Sequence, residues 1–218
     1  MESVVIIIYH PDEQISTAIG EALISGPDSG IYGKYASSTD FRQAVMDQSP
    51  DAVIVGLGDG IQGEIETTRY LRRQLPSLAV IFTVMQDDNT HLLMAMKAGG
   101  AACIPETATP EIWQDECGAV LDGRRPIVND LLRPDIAALV LGEFEAPSRL
   151  RDLQNDILIS LLPAETELLL SIAAGNAVSH SNDDLNLMMR KLRSILLKLI
   201  ANTDIAALLE EYTRLTTS

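Results

Sequence analysis

Five short apolar runs, each followed by a stretch with helical spacing, fill the first 122 residues, and this alternation is the strongest constraint on the fold. Val4–Ile8 is a continuous β-branched run, the pattern of a strand buried on both faces. Asp12–Ser25 then carries Ile15, Ala18, Ile19, Ala22 and Leu23 at helical spacing. Gly26–Gly33 is rich in glycine and reads as a loop, before a second strand over Tyr32–Ala36. Thr39–Gln48 stripes Phe41, Ala44 and Val45 on one face, with a cap at Ser38 or Thr39. Asp51–Val55 is the third strand and ends at Gly56; Glu64–Leu75 is a helix stopped by Pro76. Leu78–Val84 is the fourth strand, and Asn89–Ala98 a helix closed by Gly99 and Gly100. Ala101–Ile104 is the fifth strand, and Pro110–Leu121 a helix with proline in its first turn. Strict alternation with short crossovers predicts an α/β domain built on a doubly wound, five-stranded parallel sheet. Any site in such a fold lies beyond the strand C-termini, here near Tyr9, Gly56, Val84 and Pro105.

Past Gly123 the pattern changes. Pro126, Pro134 and Pro147 punctuate a stretch with one short apolar piece, Ile136–Leu141, read as a connector with a short helix. From Leu150 everything has helical character. Pro163–Ala174 opens with proline and acids and ends at Gly175. Asp183–Ala201 spaces Leu185, Met188, Leu192, Ile195 and Leu199 in three- and four-residue steps, a core or dimer stripe. A last helix is expected over Thr203–Leu215, capped by Thr203. The expected division is residues 1–123, a connector over 124–149, and a small all-α domain over 150–218.

Composition narrows the classes. Hydrophobic residues make up 46% of the 218 and charged residues 22%, which excludes a largely disordered chain. A net charge of −15 disfavours nonspecific attraction to DNA or to an anionic membrane. Two cysteines, Cys103 and Cys117, do not make a disulfide scaffold. No apolar run approaches the roughly 18 residues of a membrane helix. Val4–Ile8 is too short for a signal peptide and lacks a basic flank, so a soluble cytoplasmic protein is expected.

From Pro50 to Pro110 the chain resembles the receiver domains of bacterial two-component response regulators. The resemblance rests on Pro50-Asp51, Thr68-Arg69 and Arg72, Pro76, Asp87-Asp88, Ala98-Gly99 and Thr109-Pro110-Glu111, with His10-Pro11 before them and Val120–Gly123 after. The tail resembles the LuxR-type helix-turn-helix output that often follows a receiver. Leu162–Leu169 is similar to its opening helix, Ala173–Asn176 to the close of that helix, and Ser194–Leu199 to the end of its recognition helix.

The resemblance implies phosphoryl transfer to an aspartate after the third strand, with neighbouring carboxylates holding Mg²⁺ and a hydroxyl and a lysine on the phosphate. Here the nucleophile position falls on Gly56, the acidic pair on Ile8 and Tyr9, the hydroxyl on Val84 and the lysine on Glu106. Every position departs from the pattern, and Glu106 puts a negative charge where a phosphate would sit. Asp12, Glu13 and Asp59 are near enough in sequence to be weighed as substitute metal ligands, but they read better as loop and cap acids. His10, His91 and His180 lie on separate elements without metal-ligand spacing and read as surface or supporting residues. Cys103, Cys117 and Trp113 read as core. Gly56, Gly58, Gly60 and Gly63 form a glycine-spaced loop without the lysine and hydroxyl of a P-loop. No metal and no cofactor is expected.

The interval from Gly175 to Asp184 is four residues shorter than the LuxR-type pattern. That is just over one helical turn, and it falls where the supporting helix belongs, leaving Asn176–Asn182 as a loop. Met189 and Leu192 stand at basic positions of the family pattern, while Arg190, Lys191, Arg193 and Lys198 remain as possible DNA contacts. The expectation is a non-enzymatic, non-phosphorylatable response-regulator-like protein acting through an unknown protein partner and as a homodimer, with DNA binding weak or lost. The resemblance places pairing on Asn89–Ala98, Ala101–Ile104 and Pro110–Leu121. Rival readings are a phosphorylation-independent DNA-binding transcription regulator and a small-molecule sensor using the vacated receiver pocket, with active phosphotransfer last.

Overall fold

The structure, a computed structural model, describes residues 4–24, 29–58, 61–85, 88–145, 159–176 and 182–216; the side chains of 29–32, 182, 183 and 208–216 stand outside that description. The chain divides into two compact units, Met1–Ile127 and Val128–Ser218.

The first unit alternates β1 (Val4–Tyr9), α1 (Glu13–Ile24), β2 (Ser29–Tyr35), α2 (Ser38–Gln48), β3 (Ala52–Leu57), α3 (Ile61–Gln74), β4 (Ala79–Val84), α4 (Asn89–Lys97), β5 (Ala102–Pro105) and α5 (Pro110–Leu121). All pairings are parallel, in the order β2-β1-β3-β4-β5, so the doubly wound sheet expected from the alternation is present. The sheet is apolar on both faces because helices cover both. Ile6, Ile8, Ile54 and Ile81 pack under Ile19, Leu23, Trp113 and Cys117 on one side. Phe41 and Val45 of α2, Ile65 and Leu71 of α3 and Met96 of α4 are also buried.

Local boundaries differ in instructive ways. The second strand begins at Ser29, inside the stretch expected to be loop, because the β1 edge offers main-chain partners from Val4↔Ser29 onward. Residues 25–28 of that loop lie outside the described residues. The α2 cap is Ser37, one residue earlier than expected, its hydroxyl accepting the Asp40 N–H at 3.4 Å. Gly99 takes a φ of +82°, a conformation that closes α4 at little cost only for glycine.

After Ile127 come the rest of a 3-10 helix (Pro126–Leu132) and α6 (Pro134–Glu145), α7 (Pro163–Ala173) and α8 (Asn182–Thr216). The stretch expected as a connector thus contains α6, which buries Ile136, Val140, Leu141 and Phe144 and contacts both α7 and α8. The two separate helices expected over Asp183–Ala201 and Thr203–Leu215 are one helix. No glycine or proline interrupts it, and Thr203 Oγ1 donates to Leu199 O at 2.8 Å, so its hydroxyl is satisfied inside the helix rather than at a cap. Met188, Leu192, Ile195 and Leu199 are buried as a stripe, whereas Leu185, expected with them, is 48% exposed. No described helix is long and apolar enough to cross a membrane.

Candidate functional site

The C-terminal ends of β1, β3, β4 and β5 bring Tyr9, Gly56, Val84 and Glu106 to one rim, held by the register pairs Tyr9↔Val55, Gly56↔Thr83 and Val84↔Pro105. Ile8 and Val84 are buried hydrocarbon. Tyr9 stacks on Phe41 with ring centroids 5.0 Å apart, and burial, then the Glu64 carboxylate, push its hydroxyl above the usual tyrosine range. Thr83 is fully buried on β4 beside Gly56.

His10 dominates this rim. Its main-chain N–H donates to Tyr35 O at 3.0 Å, fixing the residue as the chain leaves β1. Its imidazole lies over Gly56: a Cβ added there would overlap Cδ2 and stand 2.7 Å from Nε2. His10 Nδ1 lies 2.9 Å from Asp12 N and 3.1 Å from Asp12 O, which holds the ring with Nε2 facing β5. Nε2 is 3.0 Å from Glu106 Oε1, with side-chain exposures of 6% and 9%. The Glu106 main-chain N–H in turn donates to Val84 O at 2.8 Å. So the space expected to be vacated over Gly56 is taken by the imidazole, which ties the β1–α1 turn to the β5–α5 turn. That removes the premise of the vacated-pocket sensor.

The remaining acids have other roles. Asp12 Oδ1 accepts the N–H groups of Gln14 and Ile15, capping α1. Glu13 is exposed in the first turn of that helix, and Asp59 and Gly60 lie outside the described residues. Among the described residues, no group of three or more His, Cys, Asp or Glu side chains could hold a metal ion. His91 pairs with Asp88 at 3.1 Å on the exposed start of α4, whereas His180 lies outside the described residues.

In the second unit, Arg190 and Arg193 are exposed on the same stripe of α8 as Asn186 and Leu197, and Lys191 is half-buried beside them. Leu192 is fully buried, so this position serves the core and not a phosphate. Lys198 is separated from the exposed arginines: its Nζ lies 2.5 Å from Glu165 Oε2 of α7. Glu165, 3% exposed, also accepts the Ser194 hydroxyl at 2.7 Å and the Leu162 N–H at 2.8 Å. Burial raises its carboxyl pKa, but the bonds from Lys198, Leu162 and Ser194 more than offset this and hold it below the usual glutamate value. Residues 177–181, most of the expected loop over Asn176–Asn182, lie outside the described residues.

Sequence reasoning missed the His10 contact, since a histidine after a strand has no spacing signature and its partner is 96 residues away. It read Glu165 only as an early helix acid. The signal in that case was the glutamate three residues past Leu162, at the position from which a side chain reaches back to the cap N–H.

No established family profile matches the chain. It is 21% identical over 175 residues to the response regulator UvrY of Escherichia coli, covering 80% of this chain and 76% of that one. It is 21% identical over 206 residues to the transcriptional regulatory protein LiaR of Bacillus subtilis, covering 92% and 91%. Among solved structures, RcsB from Salmonella enterica serovar Typhimurium bound to a promoter aligns with a TM-score of 0.54 at 20% identity, covering 95% of this chain and 97% of that chain. The resemblance to response regulators and the fold class, a receiver-type sheet followed by a helical unit, are both borne out.

Proposed function

We propose that this chain is a response-regulator-type signalling protein whose receiver unit is not switched by phosphoryl transfer and which acts, without catalysis, through contacts with proteins, including a second copy of itself. The observation that carries the reading is the His10 imidazole over Gly56, bonded to Glu106. A receiver needs a carboxylate at that point and a cation facing the phosphate. Here glycine makes room for a side chain, and the charge facing it is negative. The test is mass spectrometry after incubation with a small phosphodonor and Mg²⁺. An unchanged mass is expected, and a stable phosphorylated species would overturn the reading.

Constitutive pairing follows from the same premise, because no phosphorylation is available to trigger it. The proposed face is α4, β5 and α5. Sedimentation at micromolar concentration should give a dimer that charge reversal at Lys97 weakens and charge reversal at Arg69 does not. A monomer up to high concentration would count against it.

A second reading, a phosphorylation-independent DNA-binding transcription regulator, is favoured by the exposed Arg190 and Arg193 stripe of α8 and by the likeness to promoter-bound RcsB. DNA titration at controlled salt separates the two.

A further inference from the structure

At the other end of the sheet, where the strands begin, the first unit holds a cleft of about 440 Å³. This is within the size range of small-molecule sites, roughly 300–1,000 Å³. Among the described residues, Arg72, Arg124 and Arg125 line it against a single carboxylate, Asp51, so their sum is cationic in a chain of net charge −15. Asp51 accepts the Val5 N–H at 2.8 Å, and Arg124 pairs with the exposed Asp122 at 3.0 Å.

Arg72 and Arg125 are bonded differently. Arg72 lies across Gly99, where any Cβ would overlap its guanidinium, and Nη1 donates to Ala98 O at 3.0 Å. Arg125 Nη2 donates to Gly99 O at 2.7 Å and Gly100 O at 3.0 Å, while its Nε is buried without a partner. Each guanidinium thus meets neutral carbonyls, and no carboxylate among the described residues bonds either one. Burial, then the positive charge of Arg72, lower the Arg125 pKa. Capping α4 uses only a few of the ten N–H donors that two guanidinium groups carry, because each has five. Two adjacent forks with unspent donors fit a planar or tetrahedral oxyanion. Val120 and Leu121 add an apolar wall.

We propose that this cleft binds a small organic phosphomonoester, its phosphoryl group held between Arg72 and Arg125 and its organic body against Val120 and Leu121. The site is independent of the His10 rim and of the function proposed above.

The test is titration of the full chain with phenyl phosphate and with inorganic phosphate at matched ionic strength, followed by calorimetry and thermal unfolding. Saturable binding is expected, at least tenfold tighter for phenyl phosphate. Arg72→Gln and Arg125→Gln should each weaken it tenfold or more, whereas Arg73→Gln, exposed at the same helix end, should not. If Arg125→Gln fails to fold because α4 loses its cap, Arg125→Lys keeps the charge without the fork and should still bind more weakly. Equal affinity for the two probes would overturn the organic ester. No saturable response, or one unaltered by Arg72→Gln, would overturn the site.

Discussion

His10 Nε2 and Glu106 Oε1 lie 3.0 Å apart across the ends of β1 and β5, and the ring that makes this bond occupies the space a side chain at position 56 would need. The three residues are therefore one unit. Gly56→Asp should not restore an acceptor; it should destabilise the first unit by about 2 kcal/mol, as overpacking of a filled site does. Denaturant unfolding of Gly56→Asp, His10→Ala and the pair measures this. Removing the imidazole should recover much of the cost, so equal destabilisation in the single and the double variant would refute the shared space. His10→Ala and Glu106→Ala should each cost roughly 1–2 kcal/mol, with a coupling of about 1 kcal/mol between them.

Cys117 should be chemically silent in the folded protein. Burial, then the neighbouring Glu116, push its thiol up to about 12, and the thiolate is the reactive form. Thiol reagents near neutral pH should leave Cys117 unmodified until denaturant is added, and peptide mapping reads this directly. The sign of the linked stability follows from a folded pKa above the ordinary 9.0. The contribution is fully present below about pH 9 and is lost as pH rises toward 12.

Glu165 should act in the opposite sense. Its folded pKa lies below the ordinary 4.5, so its contribution is present above that value and lost as pH falls through the folded pKa. Glu165→Gln should flatten the acid limb of the unfolding curve. Lys198→Ala should destabilise the second unit by about 2 kcal/mol, because it strips a buried carboxylate of its cation. An unaltered acid limb in Glu165→Gln would refute this role.

What the sequence made legible were the periodic features. The β-branched runs and their alternation with helices led to the doubly wound parallel sheet, since strands buried on both faces leave little choice of pattern. The odd residues at Ile8, Gly56, Val84 and Glu106 were equally visible as departures from a known chemistry. What replaced that chemistry was not, because the His10–Glu106 bond joins residues 96 apart and depends on a tertiary juxtaposition. The Arg72–Arg125 cleft was hidden for the same reason. The continuous α8 was missed because Asn202 and Thr203 resemble a boundary. Both are in fact bonded: Thr203 to its own helix, and Asn202 to the main chain of Ile159, each of its two bonds 2.8 Å long.

Binding of duplex DNA should be weak and steeply salt-dependent. Affinity for DNA comes largely from phosphates neutralised by Lys and Arg, with a salt slope of about −0.9 per contact. Residues 151–218 hold six basic residues against nine acids, so few contacts are available. Lys198 is held by Glu165, which leaves Arg190, Lys191 and Arg193 as the further basic residues among the described side chains of α8. Those three residues, presented twice by a dimer, would give a slope of about −5, below that of strong repressors. Leu192 is buried in the core and Met189 is uncharged, so neither adds a phosphate contact. Gel shifts at physiological salt should show no discrete complex, and low-salt binding should show little sequence preference. Lys198→Ala should leave that residual affinity unchanged, while Arg193→Ala should lower it. A nanomolar, sequence-selective complex at physiological salt that Arg193→Ala abolishes would move the DNA-binding regulator ahead of the protein-contact reading.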